Sequence, residues 1–428
     1  MSKNTDRAVA GAALAGGLSL ARSAHAQGSD VIKIALIGCG GRGTGAAINA
    51  LNNTATSNVK LVAMADAFRS RLDNSLRAIQ SRCPDRVDVP EERKFVDLDG
   101  YQKAIDCGVD MVLLCTPPGF RPMQFEAAVK AGKQIFMEKP VAVDAPGIRR
   151  IMAANEEAKK KGLLVAVGHH LRHEVKHREV ISRLHDGAIG EIKLMRAYFN
   201  SGGVWVRPRR PDQTEMQYQV SNWYYFVWVC GDHIVEQHVH DLDVMNWIKN
   251  DHPVRANGMG GRQVRKGKDH GEIFDHHAVE FEYADGTKMY SFCRHIPGCW
   301  NSFAEHAQGT KGYADIQGHG RSDLYVDGQD PMRWERGPDG HQVEHDDIFA
   351  ALLAGQPYNE ADYGASSSMT AIFGRMATYS GKQIDWETAI NSDLDLSPKK
   401  YSWDAEAPVS PGDDGLYACA MPGVTRAL

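Results

Sequence analysis

The chain has 428 residues, 43% of them hydrophobic, enough for two domains with buried cores. A net charge of −5, with no basic stripe interleaved with aromatics, excludes a nucleic-acid footprint. Eight cysteines without a CxxC pair carry no zinc or redox signature, and Cys39 and Cys115 stand where cysteine packs as a small hydrophobe.

The first residues hold Lys3 and Arg7, run through a mildly apolar stretch from Ala8 to Leu20, and close on Ala24-His25-Ala26. That layout reads as a secretory leader over residues 1–26, cleaved after Ala26. Weak hydrophobicity and Arg22 fit the twin-arginine route, although the twin arginine itself is absent. The reading predicts a periplasmic or secreted protein, folded before export with its thiols free. An uncleaved tail is the alternative. Beyond this segment no apolar run reaches transmembrane length, so the mature chain is expected not to span a membrane.

Val31 to Ile37 is a β-branched apolar run that breaks into Gly38-Cys39-Gly40-Gly41-Arg42-Gly43, and Gly45 to Leu51 can open a helix. Glycines at the end of a buried parallel strand let the backbone approach a pyrophosphate, and the next helix offers its amides to that charge. A second strand, Val59 to Ala65, ends at Asp66, where a carboxylate can accept the ribose hydroxyls of an adenosine. Gly38, Gly40, Arg42, Gly43 and Asp66 are therefore read as cofactor-binding. A carboxylate there repels a 2′-phosphate, which favours NAD over NADP; Arg69 and Arg71 stand close enough to soften the preference. Asp66 can also cap the following helix, which does not exclude the ribose role.

Strands Val109–Cys115, Gln134–Met137 and Leu163–Val167 alternate with helices Gln124–Ala131 and Ala145–Lys161. This spacing predicts βαβ units and a doubly wound parallel sheet of Rossmann type over residues 31–167. After Gly168 the pattern changes to helix Glu174–His185 and alternating strands Ile189–Phe199, His276–Tyr283 and Lys288–Arg294, the last two joined at Asp285-Gly286. An α+β domain with a large open, mostly antiparallel sheet is expected over residues 168–390, and a Pro/Gly/Asp-rich extended arm over 391–428.

The segment Ala131-Gly132-Lys133-Gln134-Ile135-Phe136-Met137-Glu138-Lys139-Pro140, with the glycine loop and the Thr116-Pro117 turn, resembles the signature of the Gfo/Idh/MocA oxidoreductases. The resemblance covers roughly residues 31–390. It implies that Thr116, Pro117, Glu138 and Lys139 also border the cofactor. It further implies a second domain whose open sheet packs subunits into a homo-oligomer, a dimer or tetramer. The family's D-x-x-x-H-x-x-D motif is matched by Glu236-Gln237-His238-Val239-His240-Asp241-Leu242-Asp243, with glutamate for the first aspartate and His238 where glycine is frequent. Arg172 matches the family's arginine at the domain junction.

Read as one helix, the segment places His233, Glu236, His240 and Asp243 on one stripe, with Glu236 one turn from His240. A carboxylate beside imidazole raises its basicity and fixes its tautomer, as a general base requires. His238 then points away from His240, which argues against both binding one metal ion; on a strand they would share a face and the metal reading would revive. No metal is assigned. Tyr224, in the aromatic run Asn222–Trp228, is a candidate to stack on a sugar ring, although such runs are more often core. The expected function is transfer of hydride between NAD(P) and a secondary alcohol carbon of a sugar or polyol. Lys139, His240 and Glu236 are the catalytic group, and Arg172, His238, Asp243 and Tyr224 contact substrate. The alternative is a redox-neutral, NAD-dependent glycoside hydrolase (oxidation, elimination, hydration, reduction) with a tightly bound cofactor. A non-catalytic NAD-binding sensor is disfavoured by the retained Lys139, Glu236 and His240.

Overall fold

Strands buried on both faces read as continuous apolar runs, and six of them form the first sheet. The computed structural model describes residues 31–428, with β1 Ile32–Ile37, β2 Val59–Asp66, β3 Lys94–Val96, β4 Met111–Leu114, β5 Gln134–Met137 and β6 Val165–Val167. The leader read at residues 1–26 lies outside the described residues. The strand order is β3-β2-β1-β4-β5-β6, and every neighbouring pair is parallel. The order reverses between β1 and β4. That switch opens a crevice beyond the carboxyl ends of both strands, where such sheets bind ligands.

The helix Ala145–Lys161 shows how locally its ends are specified. Asp144 caps it by accepting from Gly147 N at 2.7 Å, Pro146 sits in the first turn, and Gly162 ends it in a left-handed conformation at φ 64°.

The second sheet has nine strands: β7 Ile192–Ser201, β8 Arg255–Gly261, β9 His276–Glu282, β10 Lys288–His295, β11 Ser302–Gly309, β12 Gly312–Gln317, β13 Ser322–Val326, β14 Met332–Trp334 and β15 Ile384–Asp385. They run in the order β14-β13-β12-β11-β7-β10-β9-β8-β15. The pairing is antiparallel except between β7 and β10. Burial alternates along β9 and β10, so one face of the sheet meets the core.

A helix over Ala361–Ser380, buried along almost its whole length, lies against β8, β9 and the helices Ala145–Lys161 and Val239–Lys249. It joins the two sheets into one core. The chain thus returns to the first domain: Val165 of β6 donates to Tyr358 O and accepts from Glu360 N, both at 2.9 Å. Past Ile390 there is no further helix or strand. That arm lies along the body, through Leu396 N to Asp144 (2.9 Å), Thr214 Oγ1 to Trp403 O (2.8 Å) and Gln219 Nε2 to Val409 O (2.7 Å). All eight cysteines are free. Among the described residues no helix is long and apolar enough to cross a membrane.

Candidate active site

The glycine loop is fitted to both the sheet and a ligand. Gly38 has φ +97°, and a Cβ there would stand 2.4 Å from Thr116 N; one on Gly43 would stand 2.0 Å from Gly38 O. At Gly40 and Gly41 a Cβ meets nothing within 4 Å. Two glycines therefore close the turn against the neighbouring strand, and two leave the backbone open to close approach. The following helix begins at Gly41, four residues before the expected Gly45, and directs its first amides into the same space.

Each residue read as cofactor-binding lines a cavity of about 600 Å³ above this loop. Arg42 is partly committed elsewhere: its Nε lies 3.0 Å from Glu138 Oε1 and ties the loop to the end of β5. Buried Glu344 sits beside this pair, its carboxyl held well above the usual range by burial and by the Glu138 charge. Asp66 accepts from Cys39 N (2.7 Å) on one oxygen and from Phe68 N (2.9 Å) on the other. A carboxylate oxygen accepts twice, so each retains capacity for a ribose hydroxyl. Arg69 is turned to the surface, paired with Asp73 and Glu91, whereas Arg71 lines the cavity.

Lys139 leaves the end of β5 and meets Glu236 across the domain junction. Its Nζ donates to Glu236 O at 2.6 Å and to Glu236 Oε1 at 3.2 Å, and both side chains line the cavity. This corrects the expected Glu236–His240 pairing. The histidine-rich segment is not one helix but two, His233–Glu236 and Val239–Lys249, interrupted at Gln237-His238. The interruption breaks the one-turn spacing that would have set Glu236 under His240, and its carboxylate goes to Lys139 instead. Among the described residues His240 has no carboxylate partner, and like His238 it is not part of the cavity lining: its Nδ1 is enclosed without a hydrogen bond, and its ring lies 4.6 Å from His170 at 78°. Burial, then the charge of Lys139, holds its pKa well below the ordinary histidine value. The imidazole is neutral at pH 7, as a proton acceptor must be.

Three of the four residues read as substrate contacts are used inside the protein. His238 is fully buried, with Nδ1 3.0 Å from Asp241 Oδ2 and Nε2 2.8 Å from Ser291 Oγ, and does not line the cavity. Asp243 is 1% exposed and receives both guanidinium arms of Arg172, at 2.8 and 2.9 Å, and the Ser367 hydroxyl at 2.7 Å. Arg172 lies under the Tyr363 ring at 3.8 Å. These two are tied to each other and to Tyr363 and Ser367 inside the second domain and do not line the cavity. Tyr224 does line the cavity, and its buried hydroxyl has no hydrogen-bond partner. Trp223 and Trp205 stand 5.4 and 6.2 Å from its ring and complete an aromatic wall. Trp205 and Arg207 come from a loop that carries no motif, and sequence reading did not single them out.

The ligand set weighed for a metal is dispersed, with Glu236 on Lys139, His238 on Asp241 and Asp243 on Arg172. Among the described residues, Asp232, His233 and His277 lie close enough to hold an ion. The Asp232 oxygens already accept from His233 N, His233 Nδ1, Phe274 N and the Tyr379 hydroxyl. The Asp232 carboxylate is thus satisfied within the protein, whereas His233 Nε2 and His277 Nε2 are buried without a hydrogen bond.

Residues 32–169 match the model of an oxidoreductase family with an NAD-binding Rossmann fold. Inositol 2-dehydrogenase of Rhizobium meliloti (strain 1021) is 24% identical over 257 residues, 60% of this chain and 67% of that protein. The 1,5-anhydro-D-fructose reductase of Ensifer adhaerens is 28% identical over 195 residues, 43% of this chain and 53% of its own. The chain thus spans about half to two thirds of the length of these curated relatives. A solved levoglucosan dehydrogenase, in complex with NADH and levoglucosan, shares the fold with a TM-score of 0.66 at 15% identity, over 83% of this chain and 99% of that one.

Proposed function

The chain belongs to the Gfo/Idh/MocA family of NAD-binding oxidoreductases, and on that premise we propose that it moves hydride to or from a secondary alcohol carbon of a sugar or polyol. The observation that carries this reading is the Lys139–Glu236 pair, placed at the end of β5 and facing the cofactor cavity beside Tyr224. NAD, when bound, supplies the hydride acceptor. The open backbone at Gly40 and Gly41 takes the pyrophosphate, and Asp66 takes the adenosine ribose.

Lys139 has three N–H donors, and Glu236 accepts two of them. The third is free for the substrate oxygen and stabilises its developing alkoxide charge. Neutral His240 removes the hydroxyl proton as hydride departs. The Tyr224 hydroxyl and the Trp205–Trp223 wall hold the ring, apolar face against aromatic face. The relatives named for inositol and an anhydro sugar, and the structure solved with levoglucosan, are in keeping with such a substrate.

The leader at residues 1–26 belongs to the same proposal. Outside the cytosol a cofactor held on the enzyme is an advantage, and the second domain covers the cavity with Val204, Trp205 and Arg207. Two measurements test the reading. The supernatant of heat-denatured, freshly purified protein is expected to contain NAD(H). A panel of inositols, aldoses and anhydro sugars is expected to reduce added or bound NAD+, read by NADH absorbance. Absence of nucleotide binding by calorimetry, or a panel inert with cofactor bound, overturns it.

The acid limb of the pH profile follows from the surroundings of His240. Burial and the charges of Lys139, His170 and His169 disfavour the imidazolium, so the folded pKa is lower than the ordinary value of about 6.5. The base therefore stays competent as pH falls through 6.5, and kcat/KM for oxidation declines only below it. A half-maximal point at 6.5 or above contradicts the role given to His240.

A further inference from the structure

The C-terminal arm and the body of the protein enclose a second cavity, of about 720 Å³. That is within the range of small-molecule sites. The aromatic run Asn222–Trp228 gives residues to both cavities: Trp223 and Tyr224 to the one described above, Val227 and Trp228 to this one. Phe120 of the first and Trp228 of the second meet edge to face at 5.8 Å, so the two cavities share a wall.

The body's share of the second lining carries a buried charge. Arg375, from the helix Ala361–Ser380, is 4% exposed and lines the cavity. Its Nη1 donates to Gly231 O at 3.0 Å. Among the described residues the guanidinium makes no other hydrogen bond and no ion pair, which leaves the other four N–H donors of its fork. Other buried arginines are used up within the protein: Arg172 gives both arms to Asp243, and Arg121 donates to Pro140 O and Thr116 O. A cation held out of water with most of its donors unmet is matched by an anion.

Glu272 lines the same cavity. Its Oε1 accepts from Val227 N at 3.0 Å, its Oε2 makes no hydrogen bond, and it forms no ion pair with Arg375. Burial pushes its carboxyl up to about 7, so it does not neutralise the arginine as an ordinary carboxylate would. Trp228 and Leu396 add apolar surface. On the arm, exposed Lys399, Lys400 and Arg426 stand with exposed Asp395 and Glu406.

We propose that this second cavity binds a small organic carboxylate that also carries hydroxyl groups, a sugar acid or hydroxy acid. The ligand carboxylate takes the Arg375 fork in two parallel N–H···O bonds. A ligand hydroxyl meets Glu272 Oε2, which accepts when ionised and donates when protonated. The carbon skeleton lies against Trp228 and Leu396. Inorganic phosphate shares the charge but makes no use of the apolar wall. The site is separate from hydride transfer, and neither reading depends on the other.

The test is calorimetric titration of the full chain as purified, with D-gluconate, D-glucuronate, D-glucose and inorganic phosphate as probes. At least one of the two acids is expected to bind at one site per chain, at least about tenfold more tightly than glucose or phosphate. Arg375→Gln is expected to weaken it about ten- to a hundredfold, as for a lost charge-assisted pair. Arg375→Lys keeps the charge without the fork and loses less. Because Arg375 is buried, Leu396→Trp supplies a second variant: it fills the space from the arm, leaves the guanidinium in place, and is expected to abolish binding. Lys139→Met, in the other cavity, is expected to change the affinity less than about twofold. If neither acid binds, or if glucose or phosphate binds as tightly, the proposal is overturned. Binding that survives Arg375→Gln and Leu396→Trp but is lost in Lys139→Met places the acid in the first cavity and overturns it too.

Discussion

Lys139→Met is expected to abolish measurable turnover, lowering kcat by at least about 10²–10³-fold, the range for losing one preorganised donor to a developing oxyanion. The methionine keeps the apolar stem, and the strand beneath is buried and undisturbed, so the fold and nucleotide affinity are expected to persist. The substitution does leave the Glu236 carboxylate, in a side chain only 12% exposed, without its cation. Unpaired, it destabilises the site by itself and would confuse the result. The double variant Lys139→Met/Glu236→Gln removes that excess charge. If stability recovers in the double variant and turnover does not, the loss belongs to the ammonium. Near-normal rates in the single variant reduce Lys139 to a strut between the domains.

Most of the first domain was legible because buried parallel strands announce themselves as apolar runs that end at glycine or proline. The helix Ala145–Lys161 was legible to the residue, since Asp144, Pro146 and Gly162 carry its start and stop. The second domain was much less so. Strands β12 to β14 are short, and along β11 to β14 half-burial, glycine and charge dilute the pattern. The long helix Ala361–Ser380 contains Ser366, Ser367, Ser368 and Thr370, residues that favour turns, and is helical because two layers enclose it. No amphipathic period survives when every side of a helix is buried.

The site divides along the same line. The glycine loop, Asp66 and Lys139 sit on elements that the local pattern specifies, and each is in the cavity wall. Glu236 was placed from an unbroken helix. Nothing in Glu236-Gln237-His238-Val239 announces a break, because no glycine or proline interrupts it. The stop comes from tertiary contacts: Asp232 at φ +75° and the buried His238 fix where each short helix begins and ends. Arg207 and Trp205 depend on which loop crosses the crevice, a fact of topology that no local spacing encodes.

The two histidines flanking Val239 are expected to fail in opposite ways. His240→Ala is expected to cost about two to four orders of magnitude in rate, as for a lost general base, with a modest change in unfolding midpoint. Its Nδ1 has no hydrogen bond to lose. His238→Ala removes a ring bonded at both nitrogens, and leaves the buried Asp241 carboxyl and Ser291 hydroxyl without that partner. A cavity and unsatisfied polar groups in the core cost about 2–4 kcal/mol together. The unfolding midpoint should drop by several degrees, while kcat, measured below the new transition, stays within a few-fold of the parent. Asp241 makes the contrast sharper. Burial and the neighbouring Glu305 already hold its carboxyl well above the usual range, so the ionised form is disfavoured where the lost ring would leave it. If His238→Ala loses rate as severely as His240→Ala at equal stability, His238 reaches the reacting atoms and the division between catalytic and structural histidine is wrong.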